Sequence, residues 1–278
     1  MRLKTILVPI DFSGCSVKAL RFAIGLAEKT EAKLVIMNAC QKPAAYTDAN
    51  IAAYSKKLIR EAELNAIEAF EIIKAAVQGL DDVTHEFRVK HAFPQDAIIS
   101  ATLTENIDLI VMGTIGASGI KGILMGSNTY TVIKNVTCPV LAIPIEASEN
   151  IEFKKIVLAG DYQQTNSKET YQSLVQIAKV FKAEVHILHV SESTLIKDSE
   201  VVEAEKLDGY FKGLKHSFHY IIDKHIDAGL QEYIGQNDID LLAIVAKSHN
   251  LIELIFKGSV TKKMAYHSKT PLLVLHQT

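Results

Sequence analysis

"DLIVMGTIGASGIKGILMGSNTYTVIKNVTCPVLAIP" runs from Asp108 to Pro144, and "DLLAIVAKSHNLIELIFKGSVTKKMAYHSKTPLLVLH" runs from Asp240 to His276. Laid over each other without a gap, Asp108 falls on Asp240, Gly126-Ser127 on Gly258-Ser259 and Pro139 on Pro271, a shift of 132 residues. A second match joins "LKTILVPIDFS" (Leu3 to Ser13) to "FKKIVLAGDYQ" (Phe153 to Gln163) at a shift of 150, with Lys4 on Lys154, Ile6 on Ile156 and Asp11 on Asp161. Two matched ends in constant register indicate an internal duplication. The second copy is eighteen residues shorter in its middle. The seam falls in the polar stretch "PIEASEN", Pro144 to Asn150, which divides the chain into domains 1–146 and 151–278. So short a linker leaves little freedom, and the two halves are expected to pack together.

Each copy alternates strand and helix. In the first, Thr5–Ile10 reads as a buried strand, and Ser13 caps a helix over Ser16–Lys29 with Leu20, Ala23, Ile24 and Ala27 on one face. Lys33–Ala39 is a second strand. Thr47 or Asp48 caps a long helix reaching about Gln78, with Ile59, Ala62, Ala66, Phe70 and Ile73 at helical spacing. Val83–Lys90 alternates like a strand with one polar face. Pro94 opens a helix over Gln95–Glu105, where its missing N–H costs nothing. Asp108–Met112 is a fourth strand, Asn128–Asn135 a helix and Val140–Ile143 a fifth strand. The second copy repeats the order, with strands near Lys155–Ala159, Glu184–Val190, Ser217–Ile222, Leu241–Val245 and Leu272–Leu275 and a shorter second helix around Val201–Leu214. Such alternation predicts a mostly parallel sheet with helices on both faces and right-handed crossovers.

Composition agrees with a globular α/β protein. Of the 278 residues 48% are hydrophobic, enough for a sizeable core, and the net charge of -2 gives no ground for nucleic-acid or anionic-membrane partners. The opening apolar run, Ile6 to Ile10, is too short for a signal peptide or a membrane span, so cytoplasm is the expected compartment. Cys15, Cys40 and Cys138 are odd in number, lack metal-ligand spacing and read as small packing residues.

Five of the fourteen glycines fall between Gly113 and Gly126, directly after the fourth strand. Open parallel sheets bind ligands at the carboxyl ends of their strands, near a switch in strand order. Asp11 leaves the carboxyl end of one strand and Gly113 that of another. If those strands are neighbours, both residues line one crevice. At Gly126-Ser127 the next helix starts, where first-turn N–H groups lack helical partners and the helix dipole favours an anion. Each dipole contact contributes only roughly 0.3–1 kcal/mol, so several must act together. Gly113 and Gly116 let main chain approach a sugar or phosphate, Ser127 adds a hydroxyl, and Asn128 and Thr129 extend the polar rim. Glycines three apart also serve simply to fold a tight connection. The dinucleotide pattern G-x-G-x-x-G and the Walker pattern G-x-x-x-x-G-K-[ST] do not occur.

The spacing G-x2-G-x9-G-[ST], here Gly113, Gly116, Gly126 and Ser127, resembles the nucleotide motif of universal stress proteins. "ILVPIDFS" is similar to that family's first strand and "TCPVLAIP" to its last. The resemblance covers nearly the whole chain as two tandem copies. It implies two five-stranded parallel α/β sandwiches of the adenine nucleotide alpha hydrolase-like type, with strand order 3-2-1-4-5. It also implies an ATP-binding regulatory protein of stress response, with AMP or ADP as alternative nucleotides and Mg as companion ion. By the same resemblance Pro9, Ile10 and Asp11 meet the adenosine end and Ala39 sits beside the base. Met112, Gly113 and Gly116 follow ribose and phosphates, while Gly126, Ser127 and Asn128 hold phosphate oxygens. The family commonly pairs through its last strand, which here sets Val140–Ile143 against Leu272–Leu275. Such pairing joins the two domains within one chain and leaves a homodimer and a regulatory protein partner open.

The second copy departs from the pattern. Val245 and Ser248 replace Gly113 and Gly116, Ala159 replaces Pro9, and Leu251 and Leu254 replace Gly119 and Gly122. A β-branched valine does not supply the same open backbone. This copy is expected to bind no ATP or to bind it weakly, and to serve as a structural partner. His216, His219 and His225 in "HSFHYIIDKH" raise a zinc site, but alternation puts His216 and His219 on opposite faces of a strand, so polar surface histidines are the simpler reading. His85 and His91 are read the same way, and Glu200–Glu205 as a solvated helix start. No nucleophile–base–orienter set is visible, and Asp11 alone does not make a metal-carboxylate pair. A slow ATPase or nucleotidyl-transfer enzyme on the same scaffold remains the alternative function.

Overall fold

A computed structural model of the chain describes residues 3–40, 49–116, 125–160, 167–191, 198–223, 226–246 and 269–277. In the first half the strands are β1 (Thr5–Pro9), β2 (Lys33–Ala39), β3 (His85–Lys90), β4 (Leu109–Gly113) and β5 (Val140–Ile143). The helices are α1 (Gly14–Thr30), α2 (Ala49–Ala76), α3 (Pro94–Thr104) and α4 (Ser127–Asn135). The second half adds β6 (Lys155–Gly160), α5 (Gln172–Phe181), β7 (Glu184–Ser191), α6 (Asp198–Phe211), β8 (His216–Ile222), α7 (Ile226–Asn237), β9 (Leu241–Ala246) and β10 (Leu272–His276). The predicted caps Thr47 and Asp48 lie outside the described residues, as do Gly119, Gly122, Asp161, His225, Ser248, Leu251, Leu254, Gly258 and Ser259. Among the described residues no helix is long and apolar enough to cross a membrane.

The ten strands form one sheet in the order β3-β2-β1-β4-β5-β10-β9-β6-β7-β8. Each half keeps the expected 3-2-1-4-5 order with parallel neighbours. The halves meet where β5 and β10 run antiparallel, Leu272 opposite Ala142, Leu273 opposite Leu141 and Val274 opposite Val140. Strands buried on both faces read as continuous apolar runs, which is why β4, β5 and β9 carry so few polar residues. β3, by contrast, has no buried residue because it is a sheet edge. Its Arg88 is held between Glu86 and Glu105, and Lys33 joins Glu86 at 3.0 Å.

The duplication is visible in detail. The Asp108 carboxylate accepts the N–H groups of Lys4 and Thr5 at 2.8 and 2.9 Å, and Asp240 accepts those of Lys154 and Lys155 at the same distances. α1 begins as its sequence predicts, with Ser13 accepting the Ser16 N–H, and buries Leu20, Ala23, Ile24 and Ala27. One correction concerns α6. Glu200 and Glu203, expected in a solvated helix start, are 5% and 3% exposed because that face of the helix turns toward the sheet.

One apolar core lies on each face of the sheet, and both run through the seam. Leu20, Ile24, Leu141, Phe153, Ile177 and Leu273 belong to one, Ile98, Ile110, Val132, Val140, Leu242 and Val274 to the other. The linker is fastened by α1. Lys18, 7% exposed, donates to the carbonyls of Ile145 (2.6 Å) and Ala147 and pairs with Glu149 at 3.0 Å. Gly25 packs closely there, since a Cβ would stand 3.1 Å from the Ile151 side chain. Phe153 packs edge-on against Phe181, at 4.9 Å between centroids, and tilted against Phe22, tying α5 to α1. Burial pushes the Cys138 thiol up to about 12, with the Asp108 carboxylate acting in the same direction, and Cys15 is buried.

Two outcomes are expected. Lys18→Met leaves the Ile145 carbonyl and the buried Ala147 carbonyl without their donor and lowers unfolding free energy by about 1–3 kcal/mol, read as a lower urea midpoint at unchanged slope. Cys15 and Cys138 resist thiol reagents at neutral pH in the folded protein and react once it is unfolded, as followed by mass spectrometry of alkylated peptides.

Candidate functional site

β1 is where the strand order turns, with β2 on one side and β4 on the other. The carboxyl ends of β1 and β4 therefore open side by side, as such switch points do. Pro9 closes β1, and buried Ile10 continues it, its N–H bonded to the Met37 carbonyl at 2.9 Å. The chain then turns sharply. Phe12 adopts φ 64°, uncommon for an aromatic residue, and lies 6.5 Å from the Phe87 ring. This turn leaves Asp11 exposed at the mouth. Its Oδ1 accepts the Ser13 N–H at 3.1 Å and the Ser13 hydroxyl at 2.6 Å, so one oxygen braces the start of α1. Oδ2 faces Gly116, where a Cβ would stand 2.8 Å away. Asp11 and Gly116, far apart in sequence, thus stand side by side beyond the carboxyl ends of β1 and β4.

The glycines differ in purpose. At Gly113 a Cβ would lie 2.7 Å from Cys15 Sγ and 3.1 Å from the Cys15 backbone, so this glycine admits the first turn of α1 against β4. At Gly126 the nearest atom to a Cβ would be the Thr114 carbonyl oxygen at 3.5 Å, an ordinary contact. Gly126 N–H donates to that same carbonyl at 2.6 Å, which pulls the start of α4 back over the end of β4. Thr129 completes the fastening, its hydroxyl donating to the Gly113 carbonyl at 2.9 Å.

α4 then starts with Gly126 in the capping position and no side-chain hydrogen bond to its first turn, which also lacks an acidic residue. Ser127 and Asn128 are exposed on this turn, and Met112 is buried beneath it in β4. A helix start so built presents N–H groups and a positive dipole end. Ala39, half-buried, closes β2 on the far side of β1. Sequence reading missed the neighbouring Asn38, whose Nδ2 donates to the Ile10 carbonyl at 2.8 Å and whose Oδ1 lies 3.1 Å from the Cys40 thiol. A polar residue, 7% exposed, interrupting the apolar run "KLVIM" was its signal.

The second half repeats the frame with other side chains. Gly160 stands in the place of Ile10, and His189 in that of Asn38, its Nδ1 lying 3.1 Å from the Gly160 carbonyl. Glu200 of α6 approaches His189 Nε2 to 3.9 Å, with both side chains buried. Val245, 6% exposed, occupies the Gly113 position. His216 and His219 do not act together. His216 reaches Asp208 at 3.1 Å, whereas His219 is half-buried rather than a free surface group and stacks on His186.

Comparison with known proteins agrees with this duplicated frame. The model of the "Universal stress protein family" matches residues 2–144 and again residues 152–276. A universal stress protein of Thermus aquaticus is 29% identical over 141 residues, covering 50% of this chain and 98% of the relative. One of Methanocaldococcus jannaschii is 29% identical over 143 residues, covering 50% and 81%. A solved universal stress protein from Archaeoglobus fulgidus shares the fold across 99% of this chain and 97% of its own, with TM-score 0.68 at 20% identity. Two end-to-end matches to one family, each spanning one copy of the repeat, make this chain a tandem member of the universal stress protein family.

Proposed function

We propose that the chain is a nucleotide-responsive regulatory protein of stress response, with an adenine nucleotide held by domain 1–146. Domain 151–278 is a degenerate, structural partner. The observation that carries this reading is the convergence of Asp11, Gly116 and the uncapped start of α4 on one mouth at the switch in strand order. In this reading Pro9, Ile10 and Ala39 flank the base, Asp11 meets the ribose, and Met112, Gly113 and Gly116 carry main chain past it. The amides of Ser127 and Asn128 then face phosphate oxygens, where Gly126 leaves space. Mg would accompany the phosphates as companion ion. Val245 in the place of Gly113 works against close main-chain approach to a nucleotide in the second half. Nucleotide binding acts by favouring one conformation over another and thereby altering capture of a protein partner.

The test begins with denaturing purified protein and analysing the supernatant for nucleotide. Isothermal titration with ATP and magnesium then gives an affinity. Gly116→Val forces a Cβ against Asp11 and is expected to weaken ATP binding at least about tenfold, or ~1.4 kcal/mol. Equal affinity in the variant, or an unresponsive wild-type protein, overturns the reading. Accumulation of ADP over hours, lost in the variant, would instead identify an enzyme.

A further inference from the structure

The second half contains a titratable cluster that the first half lacks. His186 of β7 is buried, and its Nδ1 lies 2.7 Å from Tyr233 Oη on α7. The His186 ring stacks on His219 of the edge strand β8, with centroids 4.7 Å apart and planes 26° from parallel. Tyr233 packs edge-on against His186 at 5.9 Å and tilted against His219 at 5.2 Å. His219 Nε2 is in turn 2.8 Å from Ser217 Oγ. Three elements, β7, β8 and α7, are thus joined through two imidazoles and one phenol.

The duplication supplies an internal control. Thr5 pairs with Lys33 as Lys155 pairs with Glu184, so His186 occupies the place of Val35. Leu34 pairs with His85 as Val185 pairs with His216, so His219 occupies the place of Arg88. The shift of 132 residues puts Tyr233 in the place of Ala101. In the first half Val35 and Ala101 are buried in one apolar core, and Arg88 is neutralised by Glu86 and Glu105. These three positions therefore hold a valine, an alanine and a permanent, ion-paired cation in one copy, and two imidazoles and a phenol in the other.

We propose that His186, His219 and Tyr233 form an acid-sensitive latch that fastens α7 to the sheet at neutral pH and releases it as the imidazoles take up protons. The charged groups around it are few. Glu184 Oε1 stands 3.9 Å from His186 Nε2 and favours the cation, but its Oε2 is engaged by Lys215 at 2.7 Å. Lys215 and Lys155 oppose a cation at His186, and Lys155 Nζ bonds the Asn237 carbonyl at the end of α7. Burial foremost, and then the His219 imidazole, hold His186 below its ordinary value of 6.5, while burial does the same to His219. The bond from Lys215 keeps Glu184 ionised across this range, although burial works against it, and burial pushes Tyr233 up to about 12, so neither changes state.

The sign follows from linkage. Released imidazoles titrate near 6.5 and latched ones lower, so the latch is at full strength above 6.5 and weakens as pH falls toward the lower, latched values. In the Nε2–H tautomer of neutral His186 the Tyr233 hydroxyl donates to Nδ1. Protonation turns Nδ1 into a donor, so this bond must reverse, and it sets two cations in a stack.

Hydrogen exchange by mass spectrometry at about pH 7.5 and about pH 5.5, corrected for intrinsic rates, reads the latch directly. Wild-type residues 226–237 are expected to lose protection by up to about tenfold for each depressed imidazole over this span, while residues 94–104 of the first half hold theirs. Replacing the pair with its first-half counterparts, His186→Val with Tyr233→Ala, removes the pH response. His219→Asn, at a half-exposed position, reduces it. Equal behaviour of the two segments in wild-type protein, imidazole resonances titrating at or above their ordinary value, or a response that survives in the folded variants would each overturn the proposal.

Discussion

The antiparallel contact of β5 with β10 is the constraint on which the molecule depends. Three residue pairs align there, yet the contact turns two five-stranded sheets into one and lets both apolar cores pass through the seam. A terminal strand with an unpaired edge is a liability in any sheet. Here the two edges that would be exposed satisfy each other. The linker does not carry the joint by itself. α1 holds it through Lys18, Gly25 and Phe22, so the helix that leads out of the crevice is also the one that fixes the second half.

Much of this was legible because duplication supplies two readings of one pattern. Asp108 and Asp240 stood out as a matched pair, and the structure shows why: each carboxylate caps two N–H groups at the start of the neighbouring strand. Periodicity placed α1 to within two residues, since its buried stripe and its Ser13 cap are local properties. What stayed hidden was tertiary. Gly113 shows its packing reason, the first turn of α1 at Cys15, only once the fold sets the two side by side. Glu200 and Glu203 read as solvated because charge is usually outside, and only the packing of α6 turns them inward. His186 was invisible because its partners, His219 and Tyr233, come from β8 and α7, 33 and 47 residues away.

The two copies illustrate how one frame tolerates different contents. Asn38 and His189 reach the same carbonyl position from the same strand end with unlike groups. The backbone carbonyl must be satisfied in either case, and an amide or an imidazole will do it. Freedom lies in what the rest of the side chain faces: Cys40 in one half, a buried carboxylate in the other. Divergence has therefore accumulated at the strand ends and on the outer helices, while the strands at the seam have stayed apolar in both copies.

Joining the halves in one polypeptide also changes their thermodynamics. Two separate chains meeting through such a strand would part on dilution, but tethered partners encounter each other at an effective concentration on the order of millimolar whatever the protein level. Their association is unimolecular, so an unequal pair cannot be exchanged for an equal one. One member is then free to diverge without being replaced at the joint by its twin, and asymmetry becomes a permanent property of the molecule.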